Sequence, residues 1–402
     1  MPKITSVKIR KVIDSRGNPT VEVDLVADGK SFGRAAAPGG ASKGIFEVKD
    51  YPAKGIDYGI SQFREKVAQR LIGNDALDQR GFDSLLHAID GTPDFSSLGG
   101  NIAIAASLAF AKASARLQGL ELYQSLLNGT KPAVPYPVGN VIGGGRHAIN
   151  GTTMQEFMAI SYGKRYPDSS FSNVAVHKSV GAALKKRFSG YPIGLGDEKA
   201  WVASLSDLEA LEILSGSIKE ISAGNGIKIA PAIDLAASEF YKDGKYDYKH
   251  KKLSKEEQVE FVAGIADQFS VAMLEDPLEQ NDFEGFAELT KRIGKKAMIV
   301  GDDLFVTNKE RLEKGIKAGA ANAILIKPNQ IGTLTDMIDT VRLAEKNGYE
   351  RVISHRSGET EDSTIAHLAV GLGIKYIKTG TIGGERTAKH NELIRIEEML
   401  SG

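Results

Sequence analysis

Lys228–Asp234 reads KIAPAID, Val271–Glu275 reads VAMLE, Ala297–Asp302 reads AMIVGD, Ala321–Lys327 reads ANAILIK, Arg351–His355 reads RVISH and Lys375–Lys378 reads KYIK. Six short apolar runs in succession close on a titratable group, and those groups are spaced 41, 27, 25, 28 and 23 residues apart. Each interval is about one strand plus one helix. Ser254–Gln268 opens on a capping box of Ser254 and Glu257, and Thr333–Lys346 has the same helical pattern. Parallel strands need such crossovers. The longest interval also holds a hairpin signal, Phe240–Tyr248 around Asp243-Gly244.

Upstream, Tyr136–Ile142 and Met154–Ile160 raise the strand-like runs to eight, the number that closes a (β/α)8 barrel. The Gly-rich link between these two is too short for a crossover helix, so they should be antiparallel. Two helical stretches, Pro167–Phe188 and Ser206–Ile221, then follow together. The expected order is ββαα(βα)6, an irregular eight-stranded barrel. Before it, Thr5–Val12, Thr20–Val26 and Lys30–Ala36, with Asp28-Gly29 as a tight turn, read as a three-stranded antiparallel meander. Helical patterns fill Tyr58–Leu127, and the Gly/Pro-rich stretch NGTKPAVPYP (Asn128–Pro137) reads as the linker. The expectation is a smaller α+β domain over 1–128 and a barrel domain over 129–402 that carries the site.

Composition narrows the function. The 402 residues include no cysteine, which excludes disulfides, thiolate metal sites and thiol catalysis. The 51 basic and 51 acidic side chains cancel, so nothing suggests a nucleic-acid partner. The most apolar stretch, Ile102–Ala111, is far short of the roughly 20 residues that span a bilayer, and reads as a buried helix rather than a membrane anchor. Met1–Asp14 lacks the apolar core of a secretion signal, so a cytoplasmic protein is expected and the sequons at Asn128 and Asn150 read as unmodified. The 44 glycines, about 11% against a usual ~7%, gather around Gly39–Gly44, Gly143–Gly145, Gly194–Gly196 and Gly380–Gly384, where loops must turn tightly.

If the strand ends share one mouth, Asp234, Glu275 and Asp302 form a hard-oxygen set suited to Mg²⁺, because crowded carboxylates without a cation repel one another. Across from them stand Lys327, His355 with Arg356, and Lys378. A ring divided into anionic and cationic halves suits an anionic substrate and removal of a proton beside its carboxylate, with a lysine as base.

DSRGNPTVEVD (Asp14–Asp24), NVIGGGRHAIN (Asn140–Asn150), LEDP (Leu274–Pro277), VGDDL (Val300–Leu304), LIKPNQIGTL (Leu325–Leu334) and SHRSGETED (Ser354–Asp362) resemble, in the same order, the motifs of the enolases, the phosphopyruvate hydratases of glycolysis. A lysine base working with Mg²⁺ is a pattern of that superfamily. The resemblance implies a carbon–oxygen lyase that reversibly dehydrates 2-phosphoglycerate to phosphoenolpyruvate, with two Mg²⁺ per site, the second arriving with substrate, and a homodimer or octamer. It makes Lys327 the base at C2, and Glu198, partnered by Glu156, the acid for the C3 hydroxyl. Asp234, Glu275 and Asp302 become ligands of the first Mg²⁺, and Ser42 of the second. Lys378 is set against the substrate carboxylate, His355, Arg356 and Ser357 against substrate and phosphate, and His147 with Gln155 in mobile-loop and substrate contacts. Arg16 reads as a turn residue outside the site, with an ion pair across a dimer interface implied. His87, His177, His250 and His390 read as structural. Two other readings stay open: a superfamily lyase for another α-protonated carboxylate, and a non-catalytic binding role. The chain departs from the family's usual loops at Gly39, Lys43, Arg146, Lys199, Ala200, Trp201 and His367. Three of these changes add positive or bulky groups to segments that should move or that flank the acid.

Overall fold

A computed structural model describes every residue of the chain except 42, 128, 130, 149 and 150. β1 (Ile4–Ile13), β2 (Pro19–Ala27) and β3 (Ser31–Ala36) form an antiparallel sheet in that order. Asp28 and Gly29 make the turn between β2 and β3 with φ of 54° and 70°, the left-handed conformation that a two-residue hairpin turn requires. The helix Gly100–Leu117, which contains the apolar stretch Ile102–Ala111, packs on this sheet and is buried along most of its length. Gly33 makes the contact possible, since a Cβ there would lie 1.9 Å from the Ala109 carbonyl oxygen.

The barrel begins with β4 (Tyr136–Gly143) and β5 (Glu156–Ser161), joined by a Gly-rich loop. The helix Tyr166–Arg187 and the pair β6 (Gly194–Leu195) and β7 (Trp201–Val202) follow, then the helix Asp207–Asn225 and β8 (Ile229–Asp234). β9 (Tyr241–Lys242), β10 (Lys245–Asp247) and β11 (Lys252–Leu253) form a small separate sheet, with Asp243 and Gly244 at its tight turn. β12 (Met273–Glu275), β13 (Met298–Gly301), β14 (Ala323–Ile326), β15 (Glu350–Ser354) and β16 (Tyr376–Lys378) complete the ring. β16 pairs with β4 and closes it.

Eight strands therefore make the barrel. β5 runs antiparallel to both its neighbours, β4 and β8, while the other pairings around the ring are parallel. The expected antiparallel start is present, and the Ser254 and Glu257 capping box opens the helix Lys255–Phe269. β6 and β7 carry no periodic signal because two residues are too few for alternation to register. No helix among the described residues is long and apolar enough to cross a membrane.

The N-terminal segment is fastened to the barrel at the mouth. Gly39 and Gly358 exchange backbone hydrogen bonds of 2.7 and 2.8 Å, and Ser15 N donates to Glu359 O at 2.7 Å.

Candidate active site

Strand register sets the floor of the mouth. β12 and β5 both pair with β8 so that Glu275 and Glu156 stand beside Asp234. Lys378 ends β16, and Asp302, Lys327 and His355 follow the ends of their strands directly. One cavity is lined by His147, Gln155, Glu156, Glu198, Asp234, Asp302, Lys327, His355, Arg356, Ser357 and Lys378, together with Gly40, Ala41 and Ser354. Glu275 is tied to it through Lys378, whose Nζ donates to Glu275 Oε2 at 2.7 Å and to Asp234 Oδ2 at 3.1 Å. Ser42 lies outside the described residues.

The three strand-end carboxylates are 1 to 8% exposed, so their mutual repulsion is poorly screened. Burial, then Asp234 and Asp302, push Glu275 well above the ordinary glutamate range despite Lys378. Glu275 Oε1 is buried and accepts no hydrogen bond from the described residues. An orphaned carboxyl oxygen, on the strand between those that lead to Asp234 and Asp302, fits a hard divalent cation held by oxygen ligands. Among the described residues the ligand atoms that converge within 4.8 Å are those of Asp276, Asp302 and Asp303 and those of His147, Glu156 and Glu198, not those of the strand-end trio; Asp276 is engaged in holding the turn, accepting the backbone N–H of Asp302 at 2.9 Å and of Asp303 at 2.7 Å.

Lys327 Nζ donates to Asp302 Oδ2. Burial works against its charge, but Asp302 outweighs burial and the nearby Arg356, and the amine is held above the ordinary lysine range. Lys378 is likewise held charged against burial by Asp234, Glu156 and Glu275.

Glu198 comes from the turn between β6 and β7. Lys199, next in the chain, has φ of 60°, and its carbonyl lies 2.9 Å from His177 Nε2. Trp201 Nε1 donates to the His177 carbonyl at 2.9 Å, so buried His177 grips this turn from two sides. Asn140 Nδ2 donates to Glu198 Oε2 at 3.1 Å. His147 Nε2 lies 3.7 Å from Glu156 Oε1 and 4.0 Å from Glu198 Oε1. Burial disfavours charge on His147, but Glu198, Asp197 and Glu156 overcome it and push the imidazole up to about 9. Burial and repulsion from Glu198 push Glu156 up to about 8. Burial also pushes Glu198 upward, but the imidazoles of His355 and His147 outweigh it and hold Glu198 low. These neighbours thus favour the proton on Glu156 and the charge on Glu198.

The cationic side is also braced from the N-terminal segment. Arg356 donates to both oxygens of Glu47, at 2.9 and 3.1 Å, and to Asn329 Oδ1 at 2.9 Å. Ala41 N donates to Ser357 Oγ at 2.6 Å. Arg16 pairs within the chain with Asp197, Nε to Oδ2 at 3.2 Å, and Asp197 Oδ1 lies 3.0 Å from His147 Nδ1. The turn residue that sequence reading left outside the site thus supports the loop histidine. Asp197, Asn140, Glu47 and Arg386 were missed. Asp197 had one signal, its place beside the expected acid in GDE. Two of the added cations of the departing loops have partners away from the ring, Lys43 with Asp50 and Arg146 with Glu239.

An irregular (β/α)8-type barrel with a capping α+β segment, a metal-fitting carboxylate set, a buried lysine and paired glutamates defines a class of barrel enzymes that act on anionic substrates. The comparisons agree. The family model described as the enolase N-terminal domain matches residues 4–126, and that of the enolase C-terminal TIM barrel domain matches residues 131–402. Relatives named enolase from Thermoplasma acidophilum and Halorubrum lacusprofundi are 49% and 50% identical over 398 and 402 residues, each covering 99% of both chains. One from Methanothermobacter thermautotrophicus is 50% identical over 403 residues, covering 99% of this chain and 97% of its own. The chain belongs to the enolase family.

Proposed function

We infer that this chain is a phosphopyruvate hydratase, catalysing the reversible, Mg²⁺-dependent dehydration of 2-phosphoglycerate to phosphoenolpyruvate. One observation carries the assignment of roles. Lys327 follows β14 and Glu156 opens β5, four places apart in an eight-stranded ring, so base and acid pair stand on opposite walls of one cavity. Loss of a proton from C2 and of a hydroxyl from C3 across a substrate needs that arrangement.

In this reading Lys327 removes the C2 proton. With Asp302 and Glu275 engaged as ligands, what remains around Lys327 is burial, Arg356 and Lys378, all of which favour the neutral amine. Glu198, exchanging its proton with Glu156, protonates the departing hydroxyl. Lys378 faces the substrate carboxylate, while Arg356, held by Glu47, and Ser357 and His355 take the phosphate end. Gln155 and His147 complete the substrate contacts. Asp234, Glu275 and Asp302 would hold one Mg²⁺ and Ser42 a second that comes with substrate. Bound there, the metal supplies positive charge against the negative charge that develops on the substrate carboxylate. The reading also carries a capping domain over 1–128, a catalytic domain over 129–402, a cytoplasmic setting and a homodimer or octamer, the last checked by sedimentation.

The test is the ultraviolet absorbance rise of product formation. It should require Mg²⁺, stop with chelator and fall by about 10⁴-fold in Lys327→Ala. A signal that survives chelation or the alanine variant would overturn the mechanism, and equal turnover of an unphosphorylated hydroxy acid would overturn the substrate.

A further inference from the structure

Arg386 is the largest fully buried side chain in the barrel's last helix, Gly384–Ser401, and is 0% exposed. Its Nη1 lies 2.8 Å from His355 Nδ1 and donates to the Arg356 carbonyl at 2.6 Å, while Nη2 donates to the Ser357 carbonyl at 2.7 Å. A guanidinium has donors only, so the ring nitrogen it faces must be the acceptor. Nδ1 of His355 is therefore unprotonated and the ring proton sits on Nε2. That Nε2 is buried, has no closed hydrogen bond among the described residues and lies 3.5 Å from Glu198 Oε2. Asn140 donates to the same oxygen.

We propose that Arg386 is a positioning residue for the reaction: it fixes His355 as the Nε2–H tautomer and aims that N–H at Glu198 Oε2. With two donors directed at Oε2, the proton that Glu198 gives to the leaving hydroxyl resides on Oε1. A second proton on His355 would place Nδ1–H against the guanidinium. Burial and Arg386 accordingly hold the imidazole down at about 4, against the opposing pull of Glu198 and Glu359. Arg386 thus keeps His355 neutral while orienting it.

The role of Oε1 rests on reading Glu198 as the acid; the tautomer does not. The decisive measurement is ¹⁵N NMR of the histidine-labelled full chain with Mg²⁺, with His355→Gln used to assign the signals. His355 should show a protonated Nε2 and an unprotonated Nδ1 throughout pH 6 to 8. Arg386→Met should give mixed tautomers or imidazolium. Its kcat should fall by about 10- to 100-fold with KM changed by less than about threefold, and a new group should titrate in its pH profile. Arg386→Lys, which keeps a charge and a donor, should restore the tautomer and part of kcat. A wild-type His355 that is protonated on Nδ1, or an Arg386→Met protein with unchanged tautomer and pH profile, overturns the proposal. If Arg386→Met does not fold, the wild-type spectrum decides alone. Full activity in Glu198→Gln alongside the expected tautomer would instead break the assignment of the acid.

Discussion

The two ends of the barrel interior are built from the same strands and do opposite things. Below the mouth, Val138, Met158, Ile160, Ala232, Met273, Val300, Leu325, Val352 and Tyr376 pack into an apolar plug. Two residues along from a plug residue stands a mouth residue: Ala232 and Asp234, Met273 and Glu275, Val300 and Asp302, Leu325 and Lys327, Tyr376 and Lys378. Side chains alternate faces along a strand, so a step of two stays inside the barrel. β5 proves the rule in reverse: it runs against the others, and its mouth residue, Glu156, comes two before Met158. Two strands differ, since Asn140 and Ser354 occupy this step on β4 and β15, and His355 enters the cavity from just past the strand. The plug provides stability and tolerates no charge. The mouth concentrates charge at the cost of stability and is held only because cations and carboxylates interleave.

The comparison can be broken most sharply on β5. Glu156→Gln should lower kcat by about 10³-fold, because the proton partner of Glu198 is lost. It should leave the metal-free protein no less stable, because a buried, repelled carboxyl is replaced by its neutral isostere. Two residues on, Met158→Ala should cost about 3 kcal/mol of unfolding free energy while kcat per folded molecule stays near wild type. Denaturant unfolding and active-site-normalised kinetics separate the two, and an exchange of phenotypes would mean that plug and mouth are not the separate layers described.

Buried charge outside the mouth should behave differently. Asp362 accepts from Lys112 Nζ at 2.9 Å and from Ala36 N at 3.2 Å, pinning the N-terminal sheet and its helix to the barrel. Burial would raise its pKa, but Lys112 and Thr364 overcome that and bring it down to about 2. A depressed carboxyl contributes stability that is full above its unfolded value, near 3.9, and is lost as pH falls toward 2. Asp362→Asn should remove about 2 kcal/mol at neutral pH. Its stability curve should also run flatter than wild type between pH 4 and 2 in chemical denaturation.

How much of this was legible follows from where the signals lie. The barrel and six mouth residues could be read because alternating apolar runs end in charge on strands that all point to the mouth. Glu156 escaped that pattern because β5 enters the barrel at the mouth, and Glu198 because it sits in a turn between strands of two residues; motif resemblance alone pointed to both. Arg386 looks like an ordinary charged residue near a helix start. Only the fold shows that its partner is His355, 31 positions earlier in the chain. Arg16 and Asp197 meet across 181 residues for the same reason.

The smallest effect belongs to the loop departures. Arg146, beside His147, pairs with Glu239 at 2.6 Å, and the two side chains are 57% and 25% exposed. An ion pair that open to water contributes at most about 1 kcal/mol and is weakened by salt. Arg146→Ser should therefore shift unfolding by less than about 0.5 kcal/mol and kcat/KM by no more than about fivefold at low salt. The difference should close in about 0.5 M salt, where the Debye length falls below about 5 Å and the wild-type pair is screened as well. A larger change that persists in salt would mean that Arg146 itself touches the substrate. The anionic ligand would then be gripped from the loop as well as from the strand ends, and the boundary of the mouth would have to be redrawn to include it.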